Sequence, residues 1–367
     1  MRGAGDRAAA RPATLVRVEQ TPPPARPSLT GIATGIGSLP GTDPLEAARV
    51  VLGELPDLPH LPELPARGVG ADLLGRTAGL LVDLAVEVVP SGYRTTTKPG
   101  RDHRRAVDLL RRDLDALEEV VERAGAHPEL VKVQLAGPWT LAAGVELPRG
   151  HRVLTDPGAL REFTESLAEG LRQHVTEVAR RTGATVVVQL DEPSLPAVLA
   201  GALPTPSGYG TVPAVPTPEA RAVLAGVVEA AAAVSGAPVV VHCCARRPPV
   251  TLLREAGADV IAFDLTQLDA DATATWDELG EAWQEGSTLA LGLVPGTDPG
   301  APADLRAVAQ PALRLADRLG FARSVLATQA LATPCCGLAG ATASWLRRAL
   351  SLTRDVAKAF VEPPEGW

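Results

Sequence analysis

Short apolar runs alternate with longer segments of helical periodicity along most of the chain. The runs at 185–190 (Thr-Val-Val-Val-Gln-Leu) and 238–242 (Pro-Val-Val-Val-His) are rich in β-branched residues, which is typical of parallel strands buried on both faces. The predicted strands are residues 34–38, 85–90, 131–137, 185–191, 238–244, 259–265, 288–294 and 324–330. The principal predicted helices are residues 104–124, 159–181, 217–234, 302–319 and 341–360.

Eight strands alternating with helices predict an α/β fold, a (β/α)8 TIM barrel in which residues 31–367 form a single domain. Residues 1–30 are rich in Arg and Pro without sustained periodicity, so we expect a disordered tail there. An open, doubly wound parallel sheet is the alternative architecture. No G-x-G-x-x-G follows a predicted strand and no phosphate-binding P-loop occurs, so nucleotide-binding signatures are missing.

Composition and charge narrow the classes of function. The 367 residues are 46% hydrophobic, and 35 Lys and Arg against 43 Asp and Glu give a net charge of −8, which argues against a nucleic-acid partner. No apolar run is long enough to span a membrane as a helix. The four cysteines form two adjacent pairs rather than a spread disulfide pattern. We therefore expect a cytoplasmic protein whose thiols are kept for chemistry.

Reactive residues of a TIM barrel lie at the carboxyl ends of its strands. The unusual polar residues of this sequence follow the predicted strands in that way: Ser38, Asp191, Glu192, His242, Cys244, Asp264 and Cys336.

The fifth predicted strand carries the most specific pattern. His242 and Cys244 share one face because side chains alternate along a strand, whereas Cys243 points to the other face. Imidazole and thiolate are ligands that zinc prefers, with Cys336 and Asp264 as further candidates from other strand ends. The alternative is that the cysteine and histidine are simply packed in the core.

Two further patterns keep a structural interpretation open. Asp191-Glu192-Pro193 is also typical of a helix amino terminus, where carboxylates are stabilised by the helix dipole. The remaining histidines have no partner pattern and are expected at the surface: His60, His103, His127, His151 and His174.

Taken together, these motifs resemble the carboxyl-terminal catalytic barrel of cobalamin-independent methionine synthase, and particularly short relatives with a single barrel. The motifs are Gly37-Ser38-Leu39-Pro40, Gln189-Leu190-Asp191-Glu192-Pro193, His242-Cys243-Cys244, Asp259-Val260-Ile261-Ala262-Phe263-Asp264 and Pro334-Cys335-Cys336-Gly337-Leu338. The resemblance implies a zinc-bearing barrel that transfers a methyl group from a folate to the thiol of homocysteine. Its partners would be small molecules.

The resemblance also implies roles for single residues. Zinc would be held by His242, Cys244 and Cys336, with Asp264 standing where the family has a glutamate ligand. The substrate-binding residues would be Ser38, Asp191 and Glu192, and Asp191 and His242 would be catalytic. The family also uses a glutamate after its second strand, for which the sequence offers no evident counterpart.

One departure concerns the methyl donor. In the family a tryptophan that stacks on the pterin follows the Gly-Pro-x-Thr motif by four residues, and Gly144 stands at that position after Gly137-Pro138-Trp139-Thr140. A methyl group carried by a corrinoid, or a thiol other than homocysteine, is therefore an alternative. A non-catalytic barrel that binds zinc or a thiol metabolite is another. The uroporphyrinogen decarboxylase group shares the barrel but needs no metal, so the His-x-Cys pattern counts against it.

Overall fold

The computed structural model describes residues 26–125, 127–205, 208–300 and 304–364. The strands are β1 (Ala85–Val89), β2 (Gly92–Thr96), β3 (Leu130–Ala136), β4 (Val145–Glu146), β5 (Thr185–Asp191), β6 (Val239–His242), β7 (Val260–Asp264), β8 (Thr288–Val294) and β9 (Ala330–Pro334). The α-helices are α1 (Pro44–Glu54), α2 (Leu73–Ala78), α3 (Arg101–Ala124), α4 (Pro138–Gly144), α5 (Pro157–Thr182), α6 (Leu195–Leu199), α7 (Thr217–Ser235), α8 (Val250–Glu255), α9 (Thr273–Gln284), α10 (Leu305–Leu319), α11 (Val325–Gln329) and α12 (Ala343–Val361).

Six parallel strands form the main sheet, in the order β3-β5-β6-β7-β8-β9. Their residues are almost all buried, as the β-branched apolar runs predicted, because helices cover the outer face while the inner face is enclosed. The parallel register sets Asp191, the last residue of β5, directly beside His242, the last residue of β6. Strand ends that are distant in sequence are thereby brought together.

Two irregular segments, residues 31–38 and 58–63, close this sheet into a ring. The first bonds to β9, where the Thr34 amide donates to the Ala332 carbonyl at 3.2 Å. The two segments bond to each other through the Glu63 amide, which donates to the Gly37 carbonyl at 3.1 Å, and residues 58–63 bond to β3 at Lys132. The ring of eight segments confirms the predicted TIM barrel and excludes the open doubly wound sheet.

Two predicted strands are wrong in position. Residues 85–90 were expected to be the second barrel strand, but β1 pairs antiparallel with β2 in a separate three-stranded sheet that β4 completes. The second place in the barrel belongs to residues 58–63, whose prolines interrupt the apolar run. The eighth strand was expected at 324–330, but Val325–Gln329 is a helical turn and β9 begins at Ala330.

The core has two parts. A large cluster lies between the outer face of the sheet and the surrounding helices, and a smaller one, which includes Val187, Val240 and Leu331, fills the lower barrel interior. The upper interior is polar. Three histidines expected at the surface are buried instead, namely His60, His103 and His174, because they lie on the inward faces of the elements that carry them.

The amino-terminal tail predicted over residues 1–30 lies mostly outside the described residues. Within the described part, Arg26 pairs with Asp259 at 3.0 Å and Leu29 is buried against the barrel interior. Packing against the barrel therefore begins a few residues before the predicted boundary at residue 31. Among the described residues, no helix is long and apolar enough to cross a membrane.

Candidate active site

A pocket of about 250 Å³ opens at the carboxyl ends of the barrel strands. Its lining combines apolar walls with three carboxylates, an imidazole and two thiols: Ile36, Ser38, Glu63, Pro65, Ala71, Asp72, Leu73, Asp191, Pro193, His242, Cys244, Cys336 and Gly337. The pocket is small, which suits a ligand of amino-acid size. It lies where catalytic residues of such barrels are found.

Three soft ligand atoms meet in this pocket. The ring nitrogen of His242 and the sulfurs of Cys244 and Cys336 all lie within 4.8 Å of one another. His242 is the final residue of β6 and Cys244 follows two residues later on the same side, whereas Cys243 is fully buried among the outer core residues. Cys336 arrives from the loop after β9.

His242 is oriented by Asp191. The Asp191 Oδ1 atom lies 2.7 Å from His242 Nδ1 and also accepts a hydrogen bond from Gln189 Nε2 at 2.8 Å. Burial opposes charging of the imidazole, but the bond to Asp191 outweighs it, so the pKa of His242 is raised. His242 Nε2 is buried and has no hydrogen-bond partner among the described residues.

The unpartnered Nε2 atom of His242 indicates that these residues can bind a metal ion. A buried ring nitrogen without a partner costs free energy, and a cation held with the two thiolates would satisfy it. Zinc-bound histidines characteristically donate their other ring nitrogen to a carboxylate, as His242 does to Asp191. Three protein ligands leave a fourth position open, as in catalytic rather than structural zinc sites. The donor set therefore fits zinc.

The two thiols perturb each other. A hydrogen bond from Cys244 lowers the pKa of the Cys336 thiol, and the adjacent His242 lowers it further despite burial. The same contact raises the pKa of Cys244. Cys336 therefore carries thiolate character at neutral pH, which is the form that binds a metal.

Asp264, the expected fourth ligand, is not part of this group. Its Oδ1 atom accepts hydrogen bonds from the Thr266 amide at 2.9 Å and the Thr266 hydroxyl at 2.6 Å, and its Oδ2 atom accepts one from Gln267 at 2.8 Å. Asp264 thus caps the short helical turn that follows β7. The sequence pattern did not reveal this because the cap is formed by the residues immediately after it.

Glu192, an expected substrate-binding residue, uses its carboxylate to bind the amino terminus of α4. Its fully buried carboxylate accepts hydrogen bonds from the Trp139 amide at 2.9 Å, the Thr140 amide at 2.8 Å and the Thr140 hydroxyl at 2.7 Å. Burial raises its pKa to about 7, although these donors oppose the rise. Glu192 therefore caps α4, and a Cβ at Gly137 would overlap its carboxylate. The substrate-binding role expected for Glu192 stays a prediction, and its carboxylate is occupied by these three hydrogen bonds.

Ser38 and Glu63 face each other at the pocket wall formed by the two irregular segments. Ser38 and Glu63 form a parallel bridge, and both line the pocket. Burial raises the pKa of Glu63 to about 7, while the Arg76 guanidinium, 3.8 Å away, opposes the rise. Glu63 was not among the site residues predicted from the sequence. The signal for it was a carboxylate that directly follows the Leu-Pro-His-Leu-Pro run at 58–62.

Leu74 of α2 packs against Gly144, the position at which the resemblance implies a pterin-stacking tryptophan. A Cβ at Gly144 would overlap the Leu74 side chain from α2. Trp139 is fully buried and donates its indole N–H to the Ala220 carbonyl at 2.8 Å, so it packs in the core away from the pocket. Neither residue places an aromatic ring at the pocket.

Comparison with protein families matches residues 31–359 to the family described as cobalamin-independent synthase, catalytic domain. Comparison with curated proteins finds no significant match.

Solved structures resemble the chain over nearly its whole length. A B12-independent methionine synthase from Shewanella sp. W3-18-1, in complex with selenomethionine, superposes with a TM-score of 0.58 at 12% identity, covering 91% of this chain and 98% of that one. A methyltransferase from Methanosarcina mazei superposes with a TM-score of 0.52 at 17% identity, covering 91% and 94%. At these identities the likeness establishes the fold.

Proposed function

Because the chain belongs to the cobalamin-independent synthase family and is a methyltransferase of the methionine synthase type, we propose that it methylates the thiol of homocysteine at a zinc ion. His242, Cys244 and Cys336 would hold the metal. The observation that carries this proposal is the meeting of their three ligand atoms in the pocket, with His242 Nε2 buried and unpartnered. The proposal includes a cytoplasmic location, since the four cysteines must stay reduced and all are free.

Zinc would supply a Lewis acid that keeps the substrate sulfur as a thiolate, whose free thiol has a pKa near 8.5 and is mostly protonated at neutral pH. The chain's own residues would hold the rest of the substrate. Glu63 and Asp191 line the same pocket and would attract its ammonium group, a contact worth about 1.5–3 kcal/mol. Ser38, whose hydroxyl has no assigned hydrogen bond among the described residues, would bind its carboxylate. The walls formed by Ile36, Pro65 and Leu73 would limit water at the sulfur.

The expected binding site of the methyl donor is where this chain departs from the sequence pattern of the family. With Leu74 packed where the stacking tryptophan would stand, a methyl-folate would bind without that stacking surface. A corrinoid-borne methyl group, which does not depend on that tryptophan, is therefore the second candidate donor.

Metal analysis of four matched variants tests the proposal. Cys244→Ser and Cys336→Ser should lose most of the zinc, because each removes one of three ligands. Cys243→Ser and Cys335→Ser are the controls and should keep it, since Cys243 packs in the outer core and Cys335 contacts Thr266. Equal zinc loss in all four variants would contradict the proposed ligand set.

Binding of the acceptor is tested separately with cobalt in place of zinc. Addition of homocysteine should change the thiolate-to-cobalt absorption, because a new sulfur enters the coordination shell. Unchanged absorption at saturating homocysteine would contradict thiol activation of this substrate and would favour a different thiol.

A further inference from the structure

A lysine is enclosed in the barrel interior beneath the pocket. Lys132, on the inward face of β3, is fully buried, and its ammonium donates to the Ile36 carbonyl at 3.1 Å, to Gln189 Oε1 at 2.7 Å and to Gln134 Oε1 at 3.4 Å. All three partners are neutral oxygens. A buried ammonium without a directly paired carboxylate is costly for a protein to keep, so its presence calls for a function.

The lysine fixes which way the Gln189 amide points. An ammonium can only donate, so the amide must present its oxygen to Lys132 and its N–H group to the other side. There Gln189 Nε2 donates to the Ile36 carbonyl at 2.9 Å and to Asp191 Oδ1 at 2.8 Å. The same Asp191 oxygen lies 2.7 Å from His242 Nδ1. Because this oxygen is an acceptor, Nδ1 carries the proton, and the lone pair of His242 lies on Nε2.

We propose that Lys132 is a positioning residue for the metal ligand His242, acting through Gln189 and Asp191. This inference rests on the proposed zinc site. Lys132 donates to Gln189, and Gln189 donates to Asp191 Oδ1. The same Asp191 oxygen accepts the Nδ1 proton of His242, so the four side chains form one connected hydrogen-bond chain. The result is a histidine held in the tautomer that can bind a metal through Nε2.

Loss of the ammonium would leave the Gln189 oxygen buried without its donor, and the amide would be held only by the Ile36 carbonyl and Asp191. An amide that shifts to satisfy its oxygen would hold the Asp191 carboxylate less firmly. His242 would then lose the fixed position of the acceptor for its Nδ1 proton, and the Nε2-protonated tautomer, which cannot bind a metal through Nε2, would become more populated. Burial lowers the pKa of Lys132 to about 8, with Asp191 and Glu63 opposing, so the ammonium is retained at neutral pH.

Three variants of the full chain test the inference. Lys132→Met removes the ammonium at nearly constant volume, and Gln189→Leu breaks the same path while keeping the lysine. Gln134→Leu is the control, because Gln134 also contacts Lys132 but donates to the Leu61 carbonyl rather than toward His242. Zinc affinity is measured by competition with a chelator, and the His242 tautomer is read from nitrogen-15 chemical shifts of the metal-free protein.

We expect Lys132→Met and Gln189→Leu each to weaken zinc binding about tenfold or more, as is typical when an outer partner of a ligand is lost. The double variant should be no weaker than the weaker single variant, since both act on one path. His242 should shift away from the Nδ1-protonated form in both, while Gln134→Leu stays close to wild type.

Zinc affinity of Lys132→Met equal to that of Gln134→Leu, or an unchanged His242 tautomer, would overturn the inference. If Lys132→Met does not fold, Gln189→Leu decides by the same two measurements. If wild-type protein binds no zinc, the proposed function is contradicted instead. The His242 tautomer of the metal-free variants, compared with wild type, would still test whether Lys132 positions His242.

Discussion

Replacement of Glu63 by glutamine should stabilise the fold and weaken substrate binding at the same time. Glu63 is a buried carboxylate at the pocket wall, and its Oε1 atom has no hydrogen-bond partner among the described residues. Glutamine keeps the size of the side chain and resembles the protonated acid. The variant therefore removes the cost of burying the charge and, with it, the negative charge proposed to attract the substrate ammonium.

The magnitude follows from the pKa of Glu63. Burial raises it from 4.5 to about 7, and each pKa unit corresponds to about 1.4 kcal/mol, so ionising Glu63 costs the folded state ~3 kcal/mol. Between pH 4.5 and about 7 the folded state holds a proton that the unfolded state has lost. The contribution of Glu63 to stability therefore falls as the pH rises through this window, and its cost is complete above about pH 7.

Urea unfolding at several pH values measures this cost. Wild type and Glu63→Gln should have similar stability at pH 4.5, and the variant should gain up to ~3 kcal/mol by pH 8. Glu229→Gln, which replaces an exposed carboxylate on α7, is the control and should change stability little at any pH. The difference between the two proteins therefore reports on Glu63 together with the charged groups that interact with it, namely Arg76, Lys132 and Asp191.

Homocysteine binding provides the second half of the same experiment. At pH 8 the variant should bind about 10- to 100-fold more weakly, the equivalent of the 1.5–3 kcal/mol expected of a hydrogen bond to a charged group. A stability difference that does not change with pH would refute the burial argument. Unchanged homocysteine affinity would show that Glu63 does not contact the substrate.

Two substitutions of glycine test the packing around the pocket. Gly144→Trp should lower the free energy of unfolding, measured with urea, by about 1–3 kcal/mol, because the indole competes with Leu74 for the same space. Adding Leu74→Ala should recover part of this loss. Full stability of the single variant would show that the space is open. Gly137→Ala should cost a similar ~1–3 kcal/mol without changing zinc affinity, because its Cβ meets the hydrogen-bonded Glu192 carboxylate. A tolerated alanine there would mean that the Glu192 carboxylate is free to move, which would favour the substrate-binding role predicted for it.

The barrel could be predicted from the sequence wherever strands are continuous apolar runs. β5 and β6 lie almost where the pattern placed them because they are buried on both faces and leave no polar interruption. The second barrel position was missed because residues 58–63 contain Pro59 and Pro62, and a run with prolines does not resemble a central strand. The run at 85–90 then completed the expected count of eight, although it forms a hairpin outside the barrel.

The family resemblance is confirmed, and the residues that meet in the pocket include the predicted His242, Cys244 and Cys336. What the sequence could not reveal is how each carboxylate is used. Asp264 and Glu192 both accept hydrogen bonds from the first residues of short helical segments. Which amides donate these bonds depends on which amides lie nearest after folding. Their roles are decided by three-dimensional neighbours rather than by spacing along the chain.

The segments of the barrel differ in how many hydrogen bonds hold them to their neighbours. The three proposed metal ligands belong to, or directly follow, strands of the continuous six-stranded sheet, whereas Ser38 and Glu63 belong to the segments joined only by isolated bridges. Fewer cross-strand bonds mean that residues 31–38 and 58–63 open at lower free energy than the sheet. The side of the pocket formed by Ser38 and Glu63 can thus adjust its shape, while the side that carries the three proposed metal ligands keeps its geometry.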